Sequence, residues 1–141
     1  MDVLLKRAWL KGYRGLTAEY RALLEERGRW AASATKCTTT WSDNPKTSGE
    51  DKIQRATDKL ADIDAQIFEK LDKIERLRGQ IESAIDELDD SRQRAVLRLR
   101  YINDLSYEEI SRKLHYDIRW LHRLEHAALE NLELPCFFRA A

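Results

Sequence analysis

The sequence predicts an all-α protein in which long antiparallel or oligomeric coiled-coil helices are followed by a C-terminal helix-turn-helix. Charged residues make up 35% of the 141 residues, and there are only 5 glycines and 2 prolines. Apolar residues recur at helical spacings in separate stretches of the chain. We expect residues 1–90 to form a helical oligomerisation region and residues 91–141 to form the helix-turn-helix domain.

The first predicted helix runs from Val3 to about Arg29, because apolar residues recur there at steps of three or four. This apolar face comprises Leu5, Trp9, Tyr13, Leu16, Tyr20 and Leu23. Turn-forming and small polar residues replace the pattern between about 32 and 49, which predicts a loop. Within that loop we expect Trp41 to cap a neighbouring helix.

A second long helix is predicted from Glu50 to Asp90 by apolar residues on a strict seven-residue repeat, the spacing of a coiled-coil seam. The seam consists of Ile53, Leu60, Ile67, Ile74, Ile81 and Leu88. Its partner is either the N-terminal helix folded back through the loop or the same helix of another subunit, and the sequence does not decide between them. A homo-oligomer is expected, with a dimer favoured.

Three shorter helices are predicted after the seam. Asp90 precedes the first, which runs to about Asn103; Ser106 and Glu109 form a capping box at the start of the second. Asp117 is expected to cap the third. The buried face of the third helix comprises Leu121, Leu124, Ala128 and Leu132. Helices joined by so short a turn cross steeply, so the last one can project into a DNA major groove about 12 Å wide.

The opposite side of the last helix carries side chains suited to reading DNA bases: arginine can bridge guanine O6 and N7, histidine can donate, and tryptophan can contact a thymine methyl group. These candidates are Arg119, Trp120, His122, Arg123 and His126. Phosphate contacts are expected from the supporting helices, through Arg92, Arg94, Arg98, Arg100, Arg112 and Lys113. We place Glu125 on or near the exposed face, where it would repel phosphate unless it accepts from a cytosine N4.

Other classes of function are disfavoured. The chain has no glycine-rich phosphate loop, no metal-spaced cluster and no nucleophile with a plausible base, so we expect neither an enzyme nor a cofactor. Cys37 and Cys136 indicate neither a disulfide framework nor a zinc site. Charges interrupt the first residues, which argues against a signal peptide or a membrane anchor. We expect a cytoplasmic protein that does not contact the membrane.

A resemblance to sigma-factor region 4, which reads promoter DNA through its final helix, is carried by the stretches LRYIN, LSYEEIS and ALENL. Residues from about 50 to the end also resemble a family of small phage and prophage proteins with a long heptad helix and a sigma-like helix-turn-helix. The resemblance implies sequence-specific binding of double-stranded DNA by a transcriptional regulator of phage genes in a bacterial host cell. RNA polymerase is left open as a further partner, because the other regions of a sigma factor that engage the polymerase and melt DNA are not evident in the sequence.

The sequence departs from the sigma pattern at two positions. His115 stands where a glycine is common, so this position requires a positive φ or an altered turn. Trp120 stands where a small polar residue is usual, which puts the carry-over of base preference in doubt. Two alternatives remain open: a DNA-packaging protein like the small terminases, and a protein-interaction module that contacts RNA polymerase and uses no DNA.

Overall fold

The computed structural model describes residues 2–39 and 48–136, and all regular secondary structure in these residues is helical. The predicted all-α fold is therefore confirmed. In chain order the elements are α1 (Asp2–Thr39), α2 (Ser48–Asp86), α3 (Ser91–Leu97), a π-helical turn (Arg98–Ile102), α4 (Tyr107–Leu114) and α5 (Ile118–Asn131). They form two compact units: unit 1 comprises Met1–Leu16 with Ile74–Ala141, and unit 2 comprises Thr17–Lys73.

In unit 2, α1 and α2 run antiparallel to each other. Arg27 of α1 pairs with Asp64 of α2 at 2.5 Å, and Glu19 of α1 pairs with Lys70 of α2. Because the residue numbers fall along α2 as they rise along α1, the two segments have opposite directions. In this unit the N-terminal helix of the same chain therefore lies beside the heptad helix.

The predicted seam of α2 is more deeply buried in unit 1 than in unit 2. Its last three positions, in unit 1, are Ile74, Ile81 and Leu88, and all are buried. Its first three positions, in unit 2, are half-buried: Ile53, Leu60 and Ile67. The buried side chains of α2 in unit 2 are instead Ala56 and Ile63, which lie three residues after the seam positions Ile53 and Leu60. A role for the seam in oligomerisation stays a prediction.

Both long helices extend into the segment from about 32 to 49 that was predicted as a loop. Helix α1 continues to Thr39 and α2 begins at Ser48, so the loop prediction is wrong for 32–39 and 48–49. The Thr35 hydroxyl donates to the Ala31 carbonyl at 3.0 Å, which satisfies a polar side chain within the helix itself. Residues 40–47, and with them the expected capping role of Trp41, lie outside the described residues.

The buried face of α1 is set slightly differently from the predicted one. Leu5, which was predicted on this face, is 49% exposed. Leu10, which was not, is fully buried, and the predicted Trp9 and Tyr13 are buried as well. The apolar stripe of a helix is at least about 100° wide, so it can include two adjacent residues such as Trp9 and Leu10. A pattern of one apolar residue in each turn therefore gives the buried face of α1 only in part. Unit 1 therefore receives a short apolar surface from the first turns of α1.

Candidate nucleic-acid interface

The helix predicted from Ser91 to Asn103 begins as expected but changes its hydrogen bonding midway. The Asp90 carboxylate accepts from the Arg92 amide at 2.9 Å, so the expected start of α3 is confirmed. After Leu97 the backbone forms a π-helical turn, in which the Asn103 amide donates to the Arg98 carbonyl at 3.0 Å. The turn is wider by one residue than an α-helical turn, and within it Tyr101 is buried.

Helix α4, the first helix of the helix-turn-helix, has the predicted cap at its start and a residue with positive φ at its end. The Ser106 hydroxyl accepts from the Glu109 amide at 3.2 Å, which confirms half of the capping box. His115 ends α4 with a φ of 59°, so it adopts the left-handed conformation that a glycine would adopt without cost. The Ser111 hydroxyl donates to the Tyr116 carbonyl at 2.6 Å and thereby fixes the turn after α4.

Helix α5, the predicted reading helix, begins at Ile118 after a three-residue turn, as predicted. Asp117 occupies the cap position, and its carbonyl accepts from the Leu121 amide at 3.0 Å. Its side chain makes no capping hydrogen bond, so the prediction of a side-chain cap is wrong. All four predicted positions on the inner side are buried: Leu121, Leu124, Ala128 and Leu132.

The core beneath α5 joins the helices of the motif. It consists of Val96, Ile110, Leu121 and Leu124, which are all buried. Half-buried side chains pack against it, including Leu105 and Leu114. The core fixes α5 against α3 and α4, so one side of α5 faces inward and the other faces solvent.

The five candidate base-reading side chains of α5 are all exposed: Arg119, Trp120, His122, Arg123 and His126. His126 pairs with Glu130 at 2.9 Å, and the ring of His122 lies 4.3 Å from the ring of Tyr107. Arg119 and Arg123 have no ion-pair or hydrogen-bond partner among the residues that the structure describes. Among the five candidate side chains of α5, these two guanidinium groups are therefore the most available to contact a ligand.

Two of the arginines predicted to contact phosphate already have partners within unit 1. The Arg94 guanidinium donates to the Leu88 carbonyl at 2.5 Å. The Arg98 guanidinium pairs with Asp86 at 3.1 Å and lies 3.9 Å from Glu82. Both side chains are half-buried: Arg94, in α3, contacts the connection that follows α2, and Arg98, at the start of the π-helical turn, contacts the last turns of α2.

The remaining phosphate candidates differ in how free they are. Arg100 donates to the Leu105 carbonyl at 3.0 Å, and its guanidinium lies 4.5 Å from the centre of the Tyr107 ring. Arg112 and Lys113 stand exposed in the last turn of α4, and neither has an ion-pair partner within residues 2–39 and 48–136. Arg92, also exposed, pairs with the neighbouring carboxylate that caps α3, at 3.5 Å.

The prediction that Glu125 lies on or near the exposed face is wrong. Glu125 is buried, with 1% of its surface exposed. Its Oε1 accepts from the Tyr101 hydroxyl at 2.5 Å and its Oε2 accepts from the Tyr107 hydroxyl. The Arg7 guanidinium lies 3.5 Å from Oε1. The spacing could have revealed this, because Glu125 follows Leu121 by four residues and so falls on the apolar stripe of α5.

The environment of Glu125 also alters its tyrosine partners. Burial raises the pKa of Tyr101 well above its ordinary value, and the hydrogen bond to Glu125 raises it further. Burial and the same carboxylate also raise the pKa of Tyr107. Both hydroxyls therefore remain protonated donors well into the alkaline range. Sequence reasoning missed the support that Tyr107 gives to the His122 ring, because only the fold brings α4 and α5 together.

Residues 84–133 match the family described as Sigma-70, region 4. No match was found among curated proteins or among solved structures. Within the described residues, no helix has the length and apolar character needed to cross a membrane. The matched family comprises DNA-binding domains and is not a family of enzymes. The C-terminal part of the chain, built from α3 to α5, is a helix-turn-helix of the sigma-70 region 4 type, a DNA-binding fold.

Proposed function

We propose that the protein is a phage or prophage transcriptional regulator that binds double-stranded DNA in a sequence-specific manner and reads bases with α5. The observation that carries the proposal is the row of five exposed cationic and aromatic side chains along α5. They lie opposite the buried side of the same helix, on a scaffold that matches a DNA-binding family. A helix held in this way presents its outer side to the major groove.

Within that row, Arg119 and Arg123 are the leading candidates for base contact. They lie four residues apart, so they project from the same side of α5, and no acidic side chain of the described chain neutralises them. A bidentate contact from arginine to guanine discriminates by about 1–3 kcal/mol. Trp120, which is 40% exposed, is suited to a thymine methyl group, while His122 and His126 can donate to bases.

The phosphate contacts divide into available and engaged side chains. Arg112 and Lys113 are exposed on α4 and lack intramolecular partners within the described residues, so we assign them the larger share of the backbone contact. Arg92 adds a third cation beside its cap. Arg94, Arg98 and Arg100 would have to give up internal hydrogen bonds to reach a phosphate.

Useful affinity requires more than one copy of the motif. The net charge of the chain is zero, so general attraction to DNA is weak, and one helix-turn-helix buries little surface. Two linked motifs gain affinity through their high effective concentration. We propose a homodimer, formed through the half-buried part of the α2 seam, that acts in the bacterial cytoplasm and includes RNA polymerase among its partners.

The test starts with selection of a duplex from a random pool by the full chain. Arg119→Ala with Arg123→Ala should weaken binding to the selected duplex at least about thirtyfold, since two base contacts are lost. Arg112→Ala with Lys113→Ala should weaken all duplexes alike and reduce the salt slope by about 2. Arg21→Ala with Arg29→Ala is the matched control: it removes the same charge from exposed positions of α1 and should change neither.

The same experiment separates the alternatives. If the control pair weakens binding as much as the α5 pair, α5 is not the reading helix. Absence of any salt-dependent affinity for duplex DNA at low ionic strength would favour an interaction module that contacts protein alone. Light scattering on the purified chain gives the oligomer: a dimer supports the regulator, whereas a ring of about eight or more copies supports a packaging protein.

A further inference from the structure

The reading helix contains a buried carboxylate whose partners come from three different elements. Tyr101 of the π-helical turn, Tyr107 of α4 and Arg7 of α1 surround Glu125. A buried carboxylate without partners is strongly destabilising, and here the two hydroxyls occupy one oxygen each while the guanidinium provides the opposite charge. Of the three partners, only Arg7 lies outside the segment that forms the helix-turn-helix.

Helix α1 contacts the motif at two further points within unit 1. The Lys6 ammonium donates to the Glu130 carbonyl at 3.1 Å, in the last turn of α5, where carbonyls lack helical partners and a positive charge is favourable. The Arg14 guanidinium donates to the Arg100 carbonyl at 2.9 Å and pairs with Asp104 at 2.7 Å. One helix therefore touches the end of α5, its middle and the π-helical turn.

The Glu125 network reaches the exposed face through Tyr107. The hydroxyl of Tyr107 is held by Glu125, and the ring of the same residue lies against the ring of His122, one of the candidate base readers. The guanidinium of Arg100 lies over the same ring. Removal of the charge opposite Glu125 should therefore move Tyr107, whose ring lies against the ring of His122.

We infer that Arg7 is a positioning residue for DNA reading: through Glu125 it holds α5 and the Tyr107–His122 pair in their DNA-binding geometry, without touching DNA. The inference rests on the proposed function. It extends the functional unit from the predicted residues 91–141 to include the first turns of α1. Lys6 supports the same helix in its last turn.

A direct phosphate contact by Arg7 is the competing explanation for any loss of affinity, since its side chain is 33% exposed. The dependence of affinity on salt distinguishes the two. Loss of one phosphate contact lowers the slope by about 0.9, whereas loss of positioning lowers affinity at every salt concentration and leaves the slope unchanged.

The experiment measures binding of the full chain to the selected duplex over a range of salt concentrations. Arg7→Met should weaken binding about fivefold to thirtyfold with an unchanged slope, as expected for a network residue remote from the ligand. It should also shift the NMR resonances of the His122 ring. Arg21→Met, on an exposed part of the same helix, removes the same charge and should leave affinity and resonances unchanged.

A charge-matched double variant completes the design. Arg7→Met with Glu125→Gln removes both charges and keeps an acceptor for a tyrosine hydroxyl, so it should restore affinity to within about threefold of wild type. If Arg7→Met does not fold, as judged by circular dichroism, this double variant and Arg7→Lys provide the comparison. A failure of the double variant to recover, with wild-type helicity, overturns the inference.

Failures of the two proposals are distinguishable. A wild-type chain that binds no duplex overturns the proposed function and the inference with it. A wild-type chain that binds, together with an Arg7→Met variant that matches Arg21→Met, overturns only the inference. A reduced salt slope for Arg7→Met also overturns it, because Arg7 would then contact phosphate directly.

Discussion

In the residues that the structure describes, all the regular secondary structure of units 1 and 2 is helical, but the two units are held together differently. The largest fully buried apolar side chains all belong to unit 1, among them Leu10, Ile81, Leu97 and Leu129. In unit 2 the buried apolar side chains of the described residues are Ala56 and Ile63, and the side chains of the ion pairs between its two helices are exposed, except for the half-buried Lys70. Two helices alone bury a narrow seam, whereas several crossing helices enclose a core.

Unusual local features are concentrated in the unit with the closed core. The two non-glycine residues with positive φ among the described residues, Asp104 and His115, lie in unit 1, as does the buried Glu125. Strained backbone and buried charge persist where the surrounding packing determines their position. The comparison indicates that unit 1 holds its helices through an enclosed core, whereas unit 2 leaves a half-buried seam on α2.

The largest expected difference between the units concerns their apolar side chains. Ile110→Ala, in the core of unit 1, should lower the free energy of unfolding by about 2–5 kcal/mol, because it leaves a cavity. Leu60→Ala, at a half-buried seam position of unit 2, should cost about 1–2 kcal/mol. Urea unfolding followed by circular dichroism measures both.

The two substitutions can also contradict the proposed difference in packing between the two units. Equal costs would mean that the seam of unit 2 is as well packed as the core of unit 1. A cost of Leu60→Ala that grows with protein concentration would place this residue in a contact between chains, since association makes stability depend on concentration. That result would support the proposed dimer.

A smaller effect is expected in alkaline solution and only through unit 1. Burial raises the folded pKa of Tyr101 and of Tyr107 above the ordinary value, so the folded chain keeps protons that the unfolded chain releases. Stability is fully present below the ordinary tyrosine pKa of about 10 and falls as the pH rises above it. At about pH 11 the loss attributable to Tyr101 should be at most about 1.4 kcal/mol.

Urea unfolding at about pH 9 and about pH 11 measures this loss. Tyrosinate absorbance should show that ionisation of the buried hydroxyls accompanies unfolding. Tyr101→Phe has no ionisable hydroxyl and should reduce the alkaline decline. If the decline persists in full in this variant, its source lies elsewhere in the chain.

The smallest effect tests the strain at the end of α4. His115→Gly should raise the free energy of unfolding by up to about 1 kcal/mol, because glycine adopts a φ near 59° without a steric penalty. Ala127→Gly, within α5, is the matched control and should lower it by about 1 kcal/mol, the ordinary cost of glycine inside a helix. Thermal unfolding of both variants would show whether glycine acts oppositely at the two positions; destabilisation by both would mean that His115 is not strained.

Local signals in the sequence were sufficient for most of the motif. The Ser106 cap, the Asp90 cap and the buried stripe of α5 depend on residues within one or two turns of each other, so their patterns can be read directly. The unusual φ at His115 was also foreseeable, because a β-carbon stands where glycine is common.

Features that depend on tertiary contacts were not predictable in the same way. The spacing of Glu125 places it on the apolar stripe of α5, but its partners, two tyrosines and an arginine from three separate elements, could not be read from local sequence. The π-helical turn has no local sequence signature; its Arg100 carbonyl receives Arg14, from 86 positions earlier in the chain. The contacts of Arg98 with Asp86 of α2 and of Arg94 with the Leu88 carbonyl, just after α2, were likewise not readable from the local pattern.

The contact between Lys6 and Glu130 spans 124 positions of the chain, and it has a consequence for synthesis on the ribosome. The contacts that pair the helices of unit 2, such as Arg27 with Asp64, span 37 positions and can form early. Unit 1 must wait until α5 has emerged, several seconds later at about 5–20 residues per second. During that interval Lys6 and Arg7 lack their partners on α5, so a chain that stops before this helix would leave the first turns of α1 less well held and more open to aggregation and proteolysis.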